Sequence, residues 1–306
     1  MRATLSRVVI PFAVSYALVS VPDGAMAQCL NPTLPTSAST RALAMGDANT
    51  AGRDDDVLFY GPAQLAIARG TSIAAGRYES HLSSVTAAST ARIATGGVGV
   101  GAQMITGRNA ASCAAPENVA RSAIAAGVAQ TYKRFRVGAT GKYVSRQLGD
   151  DRASHLLADV GVARDVSVRD NVSLGVALAV QNIGASAADG AWLQAPLRAA
   201  LGFSTGAPVK AFDLALAAQL ALEQNDGGSI FSHGRGLAGG GVEVSYNWLD
   251  GYNVSLRAGA RTPPPLSDVR SFTAGAGVVL DRLAFDYAVE ALVGARFAHR
   301  LGVRLR

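Results

Sequence analysis

From residue 70 to the C-terminus the chain alternates apolar and polar residues with a period of two, in stretches punctuated by glycine, aspartate, asparagine and proline. Successive side chains of a strand point to opposite faces, so each stretch carries one greasy face and one polar face. The clearest stretch sets Tyr252, Val254, Leu256, Ala258 and Ala260 against Asn253, Ser255, Arg257, Gly259 and Arg261. The same split opposes Phe135, Val137 and Tyr143 to Arg136, Thr140 and Lys142. It also opposes Phe285 and Tyr287 to Asp286 and Glu290, and Leu301, Val303 and Leu305 to Arg300 and Arg304. About fourteen such segments can be counted, the first over 70–81 and the last over 295–306, most near the nine to eleven residues a tilted strand needs to cross hydrocarbon.

A soluble β-sandwich also alternates, and the connections distinguish the two. Short links follow the even-numbered segments, as at Lys133-Arg134, Trp248 to Gly251 and Asp281. Longer ones often follow the odd-numbered segments, as at Arg108 to Ala120, Ala185 to Gln194 and Asn225 to Arg235. Short turns at one end and long loops at the other are the asymmetry of a membrane barrel. Past the N-terminus no run of eighteen apolar residues could cross as a helix, and a chain that spans without helices must close its sheet. Composition agrees: 49% apolar residues exclude disorder, while 34 glycines and only 16% charged residues make a poor recipe for a dense soluble core. The expected fold is an all-β, 14-stranded antiparallel transmembrane barrel over 70–306.

Residues 1–27 read as an export signal rather than a membrane anchor: Arg2 and Arg7 precede an interrupted apolar stretch, and Ala25-Met26-Ala27 offers a cleavage site before Gln28. A lipoprotein reading of Cys29 is rejected because Gln28 stands before it. Losing the signal takes the net charge from +6 to +5, with no basic run, which gives no nucleic-acid footprint. An oxidising compartment permits Cys29 and Cys113 to pair, and their spacing neither forbids nor supports it.

Residues 28–69 do not alternate. Asp54-Asp55-Asp56 can cap the start of a short helix that Gly61-Pro62 ends, with a second turn at 63–68, and a compact piece of this kind can fill the lumen of a barrel. Arg41-Ala42-Leu43, Met45-Gly46, Ala48, Ala51, Asp54-Asp55 and Tyr60 with Pro62-Ala63, Leu65-Ala66 resemble the N-terminal signature of the FadL-type outer-membrane barrels, especially the PorV/PorQ-like branch. Val172 to Ala177 and Gln181 to Gly184 resemble a strand of that branch. Gly61 stands where the family usually has Asn, and the chain ends Leu305-Arg306 where such barrels close on an aromatic residue. The resemblance implies an outer-membrane location in contact with lipid, and 28–69 as a hatch. It also implies either passive transport of hydrophobic small molecules or a non-transport role beside secretion-system proteins in secretion or surface attachment. Transport predicts an apolar, ligand-lining patch of Leu58, Phe59, Tyr60, Pro62 and Leu65 and a gap or kink between strands. The partner role predicts a sealed lumen and an apolar patch on the loops around Trp192, Ile230 and Phe231.

Chemistry is sparse. His81, His155, His233 and His299 are dispersed without metal-ligand spacing, and Asp54-Asp55-Asp56 fits a helix start better than a calcium loop. Glycines at 96–101 and 234–241 lack a phosphate-loop ending and read as strands where small side chains make room. Without Gly-x-Ser-x-Gly or a Ser/His/Asp grouping, no catalytic residue, metal or cofactor is expected, and the chain is read as a non-enzyme. The expected inward network comprises Arg92, Arg136, Asp213, Glu243, Arg257, Arg261, Asp286, Glu290 and Arg300, with Glu223, Arg296 and Arg304 beside them. It serves either as an ion-pair lattice holding the hatch or as the polar wall of a substrate path.

Overall fold

A computed structural model describes residues 37–78, 82–108, 118–169, 172–184, 195–224, 234–263, 269–293 and 296–305. The export signal and both cysteines lie outside them. Fourteen antiparallel strands run in order: β1 (Gly70–Tyr78), β2 (Leu82–Ile93), β3 (Gly96–Arg108), β4 (Asn118–Tyr132), β5 (Phe135–Leu148), β6 (Asp151–Arg169) and β7 (Val172–Ile183). They continue as β8 (Arg198–Val209), β9 (Phe212–Gln224), β10 (Gly234–Leu249), β11 (Tyr252–Arg261), β12 (Val269–Leu280), β13 (Leu283–Leu292) and β14 (Phe297–Leu305). Each strand pairs with its neighbours in sequence, and β1 pairs with β14 from Thr71↔Leu305 to Arg77↔His299, so no edge is left open.

The alternation sets the two faces as expected. Outward positions of β11 and β14 are exposed and, His299 apart, apolar, including Leu256 at 66% and Leu301 at 63%, while Ser255, Arg257, Arg300 and Arg304 between them are buried. Outside such a wall lies hydrocarbon, where an exposed leucine has no cost. Turns of two residues follow the even-numbered strands at 94–95, 133–134, 210–211, 250–251 and 281–282, and one residue in each adopts a left-handed φ, among them Lys133 and Asp281. Around this short-turn end sit outward aromatic rings: Phe212 and Tyr246 with centroids 5.3 Å apart, Trp248 and Tyr252 at 6.3 Å. Lys133 lies over Tyr132 and Arg164 over Phe135, so cation and ring share a level, as they do where a barrel meets headgroups. Several strands outrun the expected nine to eleven residues, most of all the nineteen of β6, whose ladder runs past β7 at the long-loop rim and past β5 at the short-turn rim.

Residues 37–69 lie inside. A helix α1 (Thr40–Ala44), capped by the Ser39 side chain on the Ala42 amide, is followed by two 3-10 turns, Asp55–Phe59 and Pro62–Ala66. The α1 helix carries no signal that the alternation analysis could read. The turn starting at Asp55 is where the acidic run predicted a helix, but the Asp54 side chain makes no capping bond there, because ion pairs to Arg41 of α1 and to Arg304 of the wall take its two oxygens.

Glycines let the segment in. A Cβ on Gly259 would sit 2.2 Å from the Gly46 nitrogen, one on Gly239 2.2 Å from its oxygen, and one on Gly138 2.4 Å from the Pro62 oxygen. The glycine runs of β3 and β10 are thus inward surfaces cut back for backbone contact, as the small-side-chain reading predicts. Leu58 and Leu65 press against Gly99 and against Ala125 and Ala129 of β4, and both are fully buried.

Candidate functional site

Six side chains of alternating charge form a closed ring between the segment and the wall. Arg41 of α1 meets Asp54 at 2.8 Å, and Asp54 meets Arg304 of β14 at 2.7 Å. Arg304 meets Asp286 of β13 at 2.6 Å, and Asp286 meets Arg257 of β11 at 2.6 Å. Arg257 bonds Glu243 of β10, which returns to Arg41 at 2.8 Å. Three arginines and three carboxylates cancel, so the ring adds no net charge to the lumen, and each member keeps two partners. Asp54 chiefly, and then Glu243, holds Arg41 charged well beyond its ordinary range despite burial.

Further pairs extend the fastening. Arg261 of β11 reaches Asp47 of the segment at 3.3 Å and also bonds Glu290. Arg53 and Arg136 converge on Asp165 at 3.1 and 2.8 Å. Arg300 donates to the Ala38 carbonyl and to Thr86, each at 2.9 Å. Inside the segment the Tyr60 hydroxyl donates to Asp47 at 2.9 Å, accepts from the Ala38 amide at 2.8 Å and bonds Ser37 at 2.7 Å. Burial, then the charges of Asp47 and Asp56, push the Tyr60 phenol well above its ordinary value.

Most of the expected network assembles: Arg136, Glu243, Arg257, Asp286, Glu290 and Arg300 are buried in the lumen, and Arg261 is half-buried beside them. Three members do not. Arg92 ends β2 beside the turn at 94–95 and is exposed, Asp213 sits at the same rim accepting from Asn247 at 2.7 Å, and Arg296 lies outside β14. Parity gives these side chains a face but not a depth, and at a rim an inward position is wet. Sequence reasoning missed Asp47, Asp159 and Asp165 and the roles of Arg41 and Asp54, since the segment has no period from which to read a facing direction.

Cavities lie on both sides of the segment. Toward the short turns, about 400 Å³ opens beside Arg53, Arg69 and the ring, and about 280 Å³ between residues 41–53 and the wall at Ser204 to Gly206. Toward the long loops, a space of about 90 Å³ has Phe59, Tyr60 and Ala38 as its floor. The expected apolar patch is therefore divided. Phe59 and Tyr60 face a cavity, whereas Leu58, Pro62 and Leu65 line none of these cavities, because they are spent packing the segment against small wall residues.

One ladder irregularity borders that upper cavity. Between Ala158/Val160 of β6 and Ile183/Val180 of β7 the register shifts, and Asn182 takes a φ of 61°. The bulge is closed by bonds: the Asn182 amide donates to Asp159 and its side chain to the Pro196 carbonyl, each at 2.8 Å, while Lys142 spans Asp159 at 2.7 Å and Asn182 at 2.8 Å. Gln181 donates to the Phe59 and Tyr60 carbonyls at 3.1 Å, tying the bulge to the segment. This is a kink in the wall and not a gap.

No family model matches the chain, and no curated protein matches it in sequence. Solved structures do. The Ralstonia pickettii toluene transporter TbuX superimposes with a TM-score of 0.54 at 12% identity, covering 88% of this chain and 98% of that one. The Pseudomonas putida toluene transporter TodX gives 0.53 at 11% identity over 87% and 96%, and a Pseudomonas aeruginosa FadL homologue gives 0.53 at 11% identity over 89% and 98%. At such identities the likeness is one of fold, and the fold is the fourteen-stranded antiparallel barrel of the FadL type.

Proposed function

We propose that the chain is a bacterial outer-membrane channel for the passive passage of small hydrophobic molecules, exported by its N-terminal signal, with residues 28–69 as its hatch, the short turns periplasmic and no catalytic step. One observation carries the reading. The segment fills the lumen between two sets of cavities, fastened by ion pairs and hydrogen bonds beside its apolar packing, so releasing it joins the cavities into a path. Toluene transporters of the same fold support the cargo class.

The narrower likeness to PorV/PorQ-like barrels, and with it a role in secretion or surface attachment, rests mainly on residues 41–66. Arg41, Asp54 and Tyr60 of that stretch are engaged inside the barrel, out of reach of a protein partner, which favours transport. Trp192, Ile230 and Phe231, the expected partner patch, lie outside the described residues.

The test compares liposomes holding the mature chain with liposomes holding a chain lacking residues 28–66. The shortened barrel is expected to insert and to leak small solutes faster, and the full chain to admit a labelled hydrophobic solute. Equal leakage refutes the hatch. Secretion proteins recovered in a pull-down, with no solute uptake, favour the partner role.

A further inference from the structure

We propose that the outer face of the closure between β14 and β1, toward the long-loop rim, seats the phosphate of a membrane lipid headgroup. In β7 to β11 every charged side chain takes the inward parity, from Arg198 and Asp213 to Arg257 and Arg261, so the face these strands turn to lipid carries no charge. The closure differs. Arg77 of β1 and His299 of β14 are both exposed on the outward face and stand opposite each other in the ladder. Arg270, exposed near the start of β12, adds a cation two strands further on. Among the described residues no carboxylate is turned outward on β12, β13, β14 or β1, because Asp286 and Glu290 face the lumen.

The donors are arranged for an acceptor outside the wall. The Tyr287 hydroxyl lies 2.7 Å from Nδ1 of His299, with the two rings stacked at 6.1 Å. With the hydroxyl donating, the imidazole carries its proton on Nε2 and keeps a donor there. Arg77 is engaged locally, but a guanidinium has five N–H donors and holds a local partner and a phosphate together. Depth makes such an acceptor necessary. His299 lies six residues along β14 from Leu305, and at about 3.3 Å per residue and the usual tilt that is about 15 Å of wall height, short of the roughly 25 Å apolar band. Polar groups so low on a lipid face are unfavourable in hydrocarbon. A headgroup drawn down to them, with the bilayer thinned beside the two shortest strands, supplies the charge and the hydrogen bonds. The acyl chains have a seat as well: below Arg77 the outward residue is Ala75, in register with Leu301 and Val85, which leaves a shallow dent with apolar sides. Free phosphate would use the donors and not the dent, and a neutral lipid the dent and not the donors.

Such a seat needs the barrel in a bilayer and no passage through it, so its loss leaves the transport reading standing. The full mature chain, folded in a neutral detergent, is given mixed micelles of phosphatidic acid or of diacylglycerol with the same acyl chains, and bound lipid is counted by native mass spectrometry with and without inorganic phosphate. One phosphatidic acid is expected to stay bound about tenfold or more tightly than diacylglycerol, and equimolar inorganic phosphate not to displace it. Arg77→Gln is expected to weaken its binding about tenfold, and Arg282→Gln, at the short-turn rim, to leave it unchanged. Diacylglycerol bound as tightly as phosphatidic acid, displacement by equimolar inorganic phosphate, or chains that pair and release the lipid overturn the proposal on the wild-type chain alone, whatever the folding of the variants. Unchanged affinity in a folded Arg77→Gln chain, or an equal loss in Arg282→Gln, overturns it as well.

Discussion

Single positions on the inner wall determine where residues 37–69 can lie. Gly259 is the sharpest case, since any Cβ there meets the Gly46 nitrogen at 2.2 Å and the Met45 carbonyl carbon at 2.5 Å, neither of which can rotate away. Gly259→Val should keep the barrel, because the substitution changes no ladder bond, while dislodging the segment. Limited proteolysis should then cut within 37–69, and a segment that stays protected would refute the contact. Asp286 is a second such residue, buried at 2% side-chain exposure and bonded to Arg257 and Arg304 at 2.6 Å each. Removing one partner from a buried pair leaves uncompensated charge, so Asp286→Asn should lower unfolding free energy in lipid vesicles by about 3 kcal/mol. A loss below about 1 kcal/mol would mean that water already screens the ring.

At the scale of elements, the segment and the strands differ in what holds them. The segment turns on Tyr60, whose hydroxyl gathers Ser37, the Ala38 amide and Asp47. Its phenol is raised above the ordinary value near 10, so the neutral form is the folded form: the stabilisation is whole below pH 10 and is lost as pH rises toward the folded value. Alkaline titration should therefore release the segment as tyrosinate absorbance appears, and Tyr60→Phe should remove that alkaline step while loosening the segment at neutral pH. A strand is held instead by its ladder and by the lipid on its outer face. Leu256→Arg, at mid-strand on β11, should cost about 2–4 kcal/mol in vesicle unfolding, whereas Tyr252→Arg beside the turn should cost about 1 kcal/mol or less. Equal costs at the two depths would contradict the lipid-facing assignment.

For the molecule as a whole, the sequence carried far more of the barrel than of its contents. Fourteen strands, their order, the turn asymmetry and the facing of Arg257, Asp286 and Arg300 were readable, because a closed antiparallel meander pairs each strand with its neighbour in sequence and a period of two fixes which face each residue takes. The same local rule located the glycines that make room in β3 and β10. It could not say that Arg41, Asp54, Glu243, Arg257, Asp286 and Arg304 close a ring, since that depends on the stagger of four strands and on the path of an aperiodic segment threaded among them. Nor could it separate Leu58 and Leu65, turned into the wall, from Phe59 and Tyr60, turned to the cavity: a 3-10 turn points its side chains in several directions, and packing against small residues decides which stay buried. The sequence determined the cylinder and its two faces, because those follow from neighbours along the chain. The tertiary structure decided what occupies the lumen and how it is fastened, because charges far apart in sequence meet only once the sheet has closed.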